Sequence, residues 1–530
     1  MARVQAQALP ASFPAIMPLL RALNFAETVG AIIHKRWHNG VTHADALIVL
    51  LLMILDRGGP RPLSKVSAWA TQLGIELLLG IDPAQLHDDK IGHTLDALVP
   101  VGEDGGCDLS LLAELHQQLV HTAITDYGIN TQMLHYDFTD IGLHGTYADS
   151  DLARRGKGPT RRQVQLGLNV TAQSAFPVLA TMHAGATNHT VSVPENLTAL
   201  MQRLPHQGFC VITDSAGGSY DNIIAYSEAD QHFISPRQLR EWEQQKMAAI
   251  PLEQFELAHH CSSTGDQFWV HRCGWPIKPQ DKPAELILSA VVVLSEGKLR
   301  TDQKKARGQM RKLLERLKQI AGYAGGRGNY SRPEYVRTMA EKALNKYDDA
   351  GQFVQFTVSH EPALAWTVDW LGFAGYRRLL GRYVLFTNLP EDEYSADYVL
   401  EQYRGRHVVE ASYRQLKREL EIAPLHLHKD NRLLALAGIF VIALMLLSLL
   451  QMLARRAGLE TKRGQALTGR ELLENLLAVT AVTCRIKGHL HATVGPLSEL
   501  AGHYLRAIGF PEAQHWLIVP PLDLPLISGI

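Results

Sequence analysis

"QMLHYDFTDIGL", Gln132 to Leu143, is where the chain changes its period. Upstream the apolar residues recur at helical spacing; from about residue 130 the period is two, the signature of strands. "RQVQLGLNVTA" (162–172) and "FPVLATMHAG" (176–185) continue it, giving three consecutive strands with turns between them. "VPENLTALMQRLP" (193–205) reads as a helix, and "GFCVITDSAGG" (208–218) as a buried strand ending in Asp214 and a glycine turn. "YDNIIAYSEA" (220–229) gives another helix and "QHFIS" (231–235) another strand. Three strands, helix, strand, helix, strand is the order of an α/β sheet with a mixed edge.

Outward from this centre, residues 1–125 read as helical. "HADALIVLLLMILDRGG" (43–59), "PLSKVSAWATQLG" (62–74) and "LHDDKIGHTLDALV" (86–99) are three helices punctuated by Gly and Pro. They suit a helical DNA-binding module and equally any small bundle. On the other side, residues 238–383 mix strands and helices and are too long for a loop, so they form a folded insertion. "RYVLFTNL" (382–389) resumes the sheet, and a helix follows it.

The chain has 530 residues, enough for two to four domains. Its 46% hydrophobic and 20% charged residues are those of an ordinary soluble globular protein. A formal net charge of −1 excludes a globally basic nucleic-acid binder, so any such surface is local. Lys298 to Lys346 carries 14 Lys or Arg against 4 Asp or Glu, and "RRGKGPTRR" (154–162) has five cations and no acid. Clusters of this kind can track phosphates, or simply solvate a helix face. Five cysteines argue against a disulfide framework and suit a reducing cytosol. "HHC" (259–261) and "HRC" (271–273) offer zinc-type ligands at no standard spacing. The first residues lack the basic-then-apolar order of a signal peptide. Leu433 to Leu453 is 21 residues without a charge, long enough to cross a membrane; the expectation is a core helix in a cytosolic protein.

Three carboxylates stand out. Asp137 lies mid-strand, Asp214 closes an apolar strand at the edge where open sheets hold ligands, and Glu410 lies in "YRGRHVVEASYRQLK" (403–417). Carboxylates on buried strands are costly unless paired or metal-bound, and oxygen ligands select Mg²⁺ or Mn²⁺. Asp140, Asp149 and Asp151 are nearby alternatives, better read as loop and turn residues. Tyr403, Arg406, Glu410 and Lys417 sit at offsets of 0, 3, 7 and 14. On one continuous helix they would share an arc of about 60° and form a stripe about 21 Å long.

That spacing of Tyr, Arg, Glu and Lys, with the Asp-x-Thr strand (Asp137, Thr139) and "TDSAGGSYDN", resembles bacterial insertion-sequence transposases of the DDE class, in the branch with the Tyr-Arg-Glu-Lys (YREK) signature. The resemblance covers nearly the whole chain. It implies a ribonuclease-H-like catalytic core, a mixed sheet with flanking helices, interrupted by an insertion domain containing β-strands. The implied layout is a helical N-terminal domain at 1–125, the core at 126–237 and 384–460, the insertion at 238–383 and a C-terminal helical region at 461–530. It implies Asp137, Asp214 and Glu410 as catalytic metal ligands, with Mg²⁺ (Mn²⁺ substituting), as two ions. Tyr403, Arg406 and Lys417 would contact transposon-end DNA. His407, where relatives often carry Trp, and Ser215, where they often carry a polar group such as Arg, depart from the pattern and bear on DNA positioning.

The expected activity is metal-dependent phosphoryl transfer. The protein would bind terminal inverted repeats, cleave at the transposon ends and join the freed 3′-hydroxyl to target DNA. The expected partner is double-stranded DNA, with a homodimer in the synaptic complex, no membrane and no small-molecule substrate. Rivals are a ribonuclease-H-like nuclease without strand transfer and a host-recruited DNA-binding protein that no longer catalyses.

Overall fold

The computed structural model describes residues 4–510, apart from 11, 35–39, 57–61, 146, 148–149, 156–161, 188, 205–207, 216, 263, 278–285, 424, 462, 477–479, 487–488 and 496. It is a mixed α/β protein, as the alternation of periods implies. The chain divides into two compact units: Met1–Ile212 with Ala229–Gln231 and Gly405–Ile530, and Thr213–Glu228 with His232–Arg404. The N-terminal helices and the segment after Arg404 therefore belong to one unit.

In the first unit the Met133–Leu143 strand is the axis. It runs antiparallel to Arg162–Thr171, with Asp137 opposite Leu168, and parallel to Cys210–Ile212 on its other side. Arg162–Thr171 in turn pairs with Pro177–Ala184 and with the short Arg154–Arg155 strand. The Arg162–Thr171 strand is buried along most of its length, its polar Gln165 and Asn169 included.

The other layer of this unit is helical. Asp430–Arg456, which contains the Leu433–Leu453 run, is a single helix of 27 residues with Asp430 in its first turn and Arg455 and Arg456 in its last, matching the helix dipole. In its most apolar 18-residue window, 94% is buried. It packs on the Pro177–Ala184 strand and on helices Phe13–Ala22, His43–Leu55, Asp88–Leu98, Ser110–Tyr127 and Gly469–Glu474. A helix apolar on all sides is thus enclosed on all sides. The amino-terminal helices are tied to it by polar contacts as well. Arg432 makes a two-pronged contact with Asp96 at 2.8 and 2.6 Å, and Asn431 donates to Asp96 and to the Val99 carbonyl.

Residues 461–530 are not purely helical. Thr480–Ile486 and His489–Val494 form an antiparallel pair, and Val4–Ala8, in the segment read as helical, adds to it as a third strand. Both C-terminal runs are rich in β-branched residues, which favour pleated backbone. Helices Gly469–Glu474 and Glu499–Ala507 flank them in sequence.

The second unit has an antiparallel sheet in the order His232–Pro236, Arg382–Thr387, Leu286–Ser295, Phe268–Ile277, Glu256–Leu257. A helical module follows Leu286–Ser295. In it Glu296–Tyr323 and Pro333–Lys346 pack through Met310, Leu313, Leu317, Val336 and Ala340, with the Val354–Val358/Leu364–Val368 hairpin against them. Ser295 caps the long helix, its side chain accepting from the Lys298 amide. The cations of this basic stretch lie almost entirely on the exposed faces, as the amphipathic pattern requires.

Candidate active site

The first unit brings Asp137, Arg406, Glu410 and Lys417 onto adjoining elements; Asp214 and Tyr403 belong to the second unit. Asp137 is half-buried on the central strand. Its Oδ1 accepts the Phe138 amide at 2.9 Å, and its Oδ2 lies 3.5 Å from the Arg406 guanidinium, each side chain being only 20% exposed. Two residues earlier on the same strand face, His135 is fully buried. Burial, reinforced by Arg406 and His407, pushes its pKa down to about 3, so the imidazole is neutral. Arg406 is a cation that does meet Asp137.

The expected single stripe is not one helix. Ala396–Arg404 ends, Gly405 and Arg406 form a turn, and His407–Arg414 begins anew with Arg406 at its N-cap position. Glycine at 405 supplies the weak point, since it is among the poorest helix formers. After Arg414 the backbone widens into a π-helix over Gln415–Glu419, where the Leu420 amide reaches back to the Gln415 carbonyl at 2.9 Å. Each π-turn inserts a residue, so Lys417 leaves the phase it would hold on an α-helix. Glu421, with φ 52°, then turns the chain so that Leu425 bridges to Leu143 at the end of the central strand.

His407–Arg414 is fastened to the sheet by Tyr413. Its hydroxyl donates to the main-chain carbonyl of Asp137 and accepts the Leu168 amide at 3.1 Å, so one side chain joins both central strands. Burial drives its pKa well above the usual phenol value. Glu410, three residues earlier and hence on a neighbouring helical position, is exposed and has no hydrogen-bond or ion-pair partner among the described residues. Lys417 is lowered from lysine's ordinary pKa by desolvation, with Asp140 pulling the other way.

On the second unit, Asp214 begins the turn after Cys210–Ile212. Its carbonyl accepts from Ser235 Oγ at 2.7 Å and from the Gly217 amide at 3.2 Å. The glycines are required here. A Cβ on Gly217 would sit 2.0 Å from Thr213 Oγ1, and one on Gly218 2.2 Å from the Pro236 carbonyl. Tyr403, on Ala396–Arg404, lies with its ring 6.4 Å from that of Tyr383.

An oxygen-only donor set of two aspartates and a glutamate suits a hard divalent cation. Within the first unit the Asp137 carboxylate faces Arg406 and the Glu410 carboxylate is exposed. Of the alternative acids, Asp140 is on the strand rather than in a loop and Asp151 pairs with Arg154 at 3.2 Å, while Asp149 lies outside the described residues. The His259–Cys261 and His271–Cys273 clusters make no metal-ligand group; among the described residues the one such group is exposed, at His87, Asp88 and Asp89. His259 instead meets Asp397 at 2.8 Å. Most of the Arg154–Arg162 run lies outside the described residues.

Sequence reasoning missed Tyr413 and His135. Tyr413 carries a legible signal, an aromatic three residues after Glu410. His135 carries only its place two residues before Asp137.

Residues 132–446 match the model of the family described as the transposase DDE domain, and residues 12–105 match that of a domain of unknown function (DUF4277). No curated protein matches the chain. Among solved structures it is similar to the cryo-EM structure of the piggyBac transposase synaptic complex with hairpin DNA. That similarity is at 7% identity over 98% of this chain and 89% of that chain, with a TM-score of 0.41.

Proposed function

The chain belongs to the transposase DDE-domain family, and from that membership we propose that it binds the terminal inverted repeats of a bacterial insertion sequence, cleaves at the element's ends and joins them to target DNA. The observation that carries the reading is the span of the family match, 132–446, which takes in Asp137, Asp214 and Glu410 together with Tyr403, Arg406 and Lys417. The catalytic core is ribonuclease-H-like in this reading, and the Tyr-Arg-Glu-Lys spacing assigns the chain to the branch with that signature.

Asp137, Asp214 and Glu410 would hold Mg²⁺, with Mn²⁺ substituting; two such ions, when bound, supply charge neutralisation at phosphorus and an activated oxygen nucleophile. The chain's own residues do the positioning. Tyr413 fixes the Glu410 helix to the Asp137 strand, and Arg406 offsets the Asp137 charge until DNA arrives. Arg406 and Lys417 then serve phosphates, and Tyr403 a sugar or base near the cut. His135, neutral and buried beneath Asp137, adds no competing positive charge. Synapsis of two ends calls for a homodimer, and the protein works in the cytosol on nucleoid DNA.

The test is cleavage and strand transfer on DNA carrying the repeats that flank the coding region. Asp137→Ala, Asp214→Ala and Glu410→Ala should each abolish cleavage in Mg²⁺ while leaving end binding intact. A triad variant that cuts at the normal rate would sink the assignment. Cleavage without joining would leave a nuclease.

A further inference from the structure

A cavity of about 330 Å³ lies within the first unit, on the helical side of the sheet. Three helices each give it one face. Ser110–Tyr127 and the residue before it contribute Leu109, Leu112, Ala113 and His116, at the i, i+3, i+4, i+7 positions of a single stripe. The long Asp430–Arg456 helix contributes residues 434, 437, 438 and 441 with the same spacing, and His189–Arg203 contributes 195, 199 and 203. The Pro177–Ala184 strand closes one wall. Small side chains at the middle of each stripe, Ala113, Ala199 and Ala437, make the space: any larger apolar residue there would fill it.

Two polar groups in this apolar wall lack the partners that buried groups ordinarily have. His116 is 6% exposed, and neither ring nitrogen has a hydrogen-bond partner among the described residues. Arg203 is half-buried, and among the described residues it has no ion pair or hydrogen bond. The two are close enough for Arg203 to help hold His116 neutral, so the imidazole offers one donor and one acceptor beside a fixed positive charge. Glu195 stands on the same helix face as Arg203, two turns away and exposed, where it would repel a second negative charge.

We propose that this cavity is a binding site for a small monocarboxylate with an aliphatic or aromatic body, its carboxylate on Arg203 and His116 and its body among Leu112, Leu166, Leu434 and Val441. A guanidinium is built for the two oxygens of a carboxylate, and the volume is that of a compact ligand pocket. An inorganic dianion would satisfy Arg203 but would leave the apolar wall unused. The site is remote in the sequence from Glu410. It touches the strand paired with that of Asp137 through Leu166, two residues from Leu168, whose amide Tyr413 accepts.

Sodium octanoate is the probe, added to the full-length protein and followed by calorimetry and thermal unfolding, with sodium chloride and inorganic phosphate at equal ionic strength as the other arms. Saturable binding of octanoate with a rise in Tm is expected, together with no such rise in chloride or phosphate. Arg203→Met should weaken octanoate binding at least tenfold, and Ala199→Leu, which fills the cavity and keeps both polar groups, should abolish it. Circular dichroism of each variant establishes that it is folded. An equal response to phosphate, no saturable octanoate binding by the wild type, or undiminished binding by folded Ala199→Leu would each overturn the proposal.

Discussion

The hydroxyl of Tyr413 donates to the main-chain carbonyl of Asp137, so the helix that carries Glu410 is bonded to the backbone of the residue it would act with. The same oxygen accepts the Leu168 amide. One side chain thus fixes a helix against two strands, and the first prediction concerns it. Tyr413→Phe removes the hydrogen bonds its hydroxyl makes to these main-chain groups, at a cost of about 0.5–1.5 kcal/mol for each. Denaturant unfolding should show that loss. DNA cleavage should fall further than the stability loss accounts for at temperatures where the variant is fully folded. A variant that keeps both wild-type stability and wild-type cleavage would show the contact to be idle.

Arg406 faces Asp137 at 3.5 Å and offsets its charge; in the proposed function it also serves phosphate. Arg406→Gln should therefore weaken binding of transposon-end DNA. Lys417→Ala should lower the dependence of end binding on salt, since each lost phosphate contact reduces the slope by about one. Titration by fluorescence anisotropy over a range of salt measures both. A Lys417→Ala slope equal to wild type would mean the lysine is only solvated.

The helices Glu296–Tyr323 and Pro333–Lys346 expose most of the cations of their stretch. Hydrogen exchange in the presence of terminal-repeat DNA should slow across them, with Lys304, Arg307 and Lys312 as the first residues to neutralise. Unchanged exchange in both helices would remove them from the DNA path.

Asp96 is held below the usual carboxylate range, chiefly by its hydrogen bond from Arg432. A carboxylate with a depressed folded-state pKa contributes stability above its unfolded value, about pH 4, and loses it as pH falls through the lower folded value. Asp96→Asn should thus be less stable than wild type at neutral pH, and the difference should shrink in acid. A gap that is the same at pH 7 and pH 3 would assign the effect to packing alone.

Ala443 is fully buried midway along the Asp430–Arg456 helix. Ala443→Asp places an unpaired carboxylate there and should leave the protein insoluble or unfolded. The wild type should fractionate with the cytosol; recovery in the membrane pellet, released by detergent and not by salt, would reverse the reading of this helix.

Much of the fold is legible because its elements are bounded by their own chemistry. Alternation marks the strands at 133–143 and 162–171, and the glycines of "TDSAGG" mark the one place where Thr213 and Pro236 leave no room for a Cβ. The Tyr403–Lys417 spacing was equally plain, but its geometry was not. Gly405 and the π-turn at Gln415–Glu419 each shift helical phase, and neither changes the residues that a spacing counts. Tyr413 was hidden because its value lies in main-chain partners far away in sequence, one of them in a strand 245 residues away. The Thr480–Ile486 strand escaped for a similar reason: its partner at Val4–Ala8 lies at the far end of the sequence, and nothing local announces it.

That last pairing bears on how the protein is made. Val4–Ala8 is translated more than 470 residues before its partner strand, so that edge stays unpaired while the intervening chain is made. The first unit is likewise assembled from pieces that bracket the second, which can close while the first is still incomplete. An unpaired edge held open that long is an invitation to misassociation.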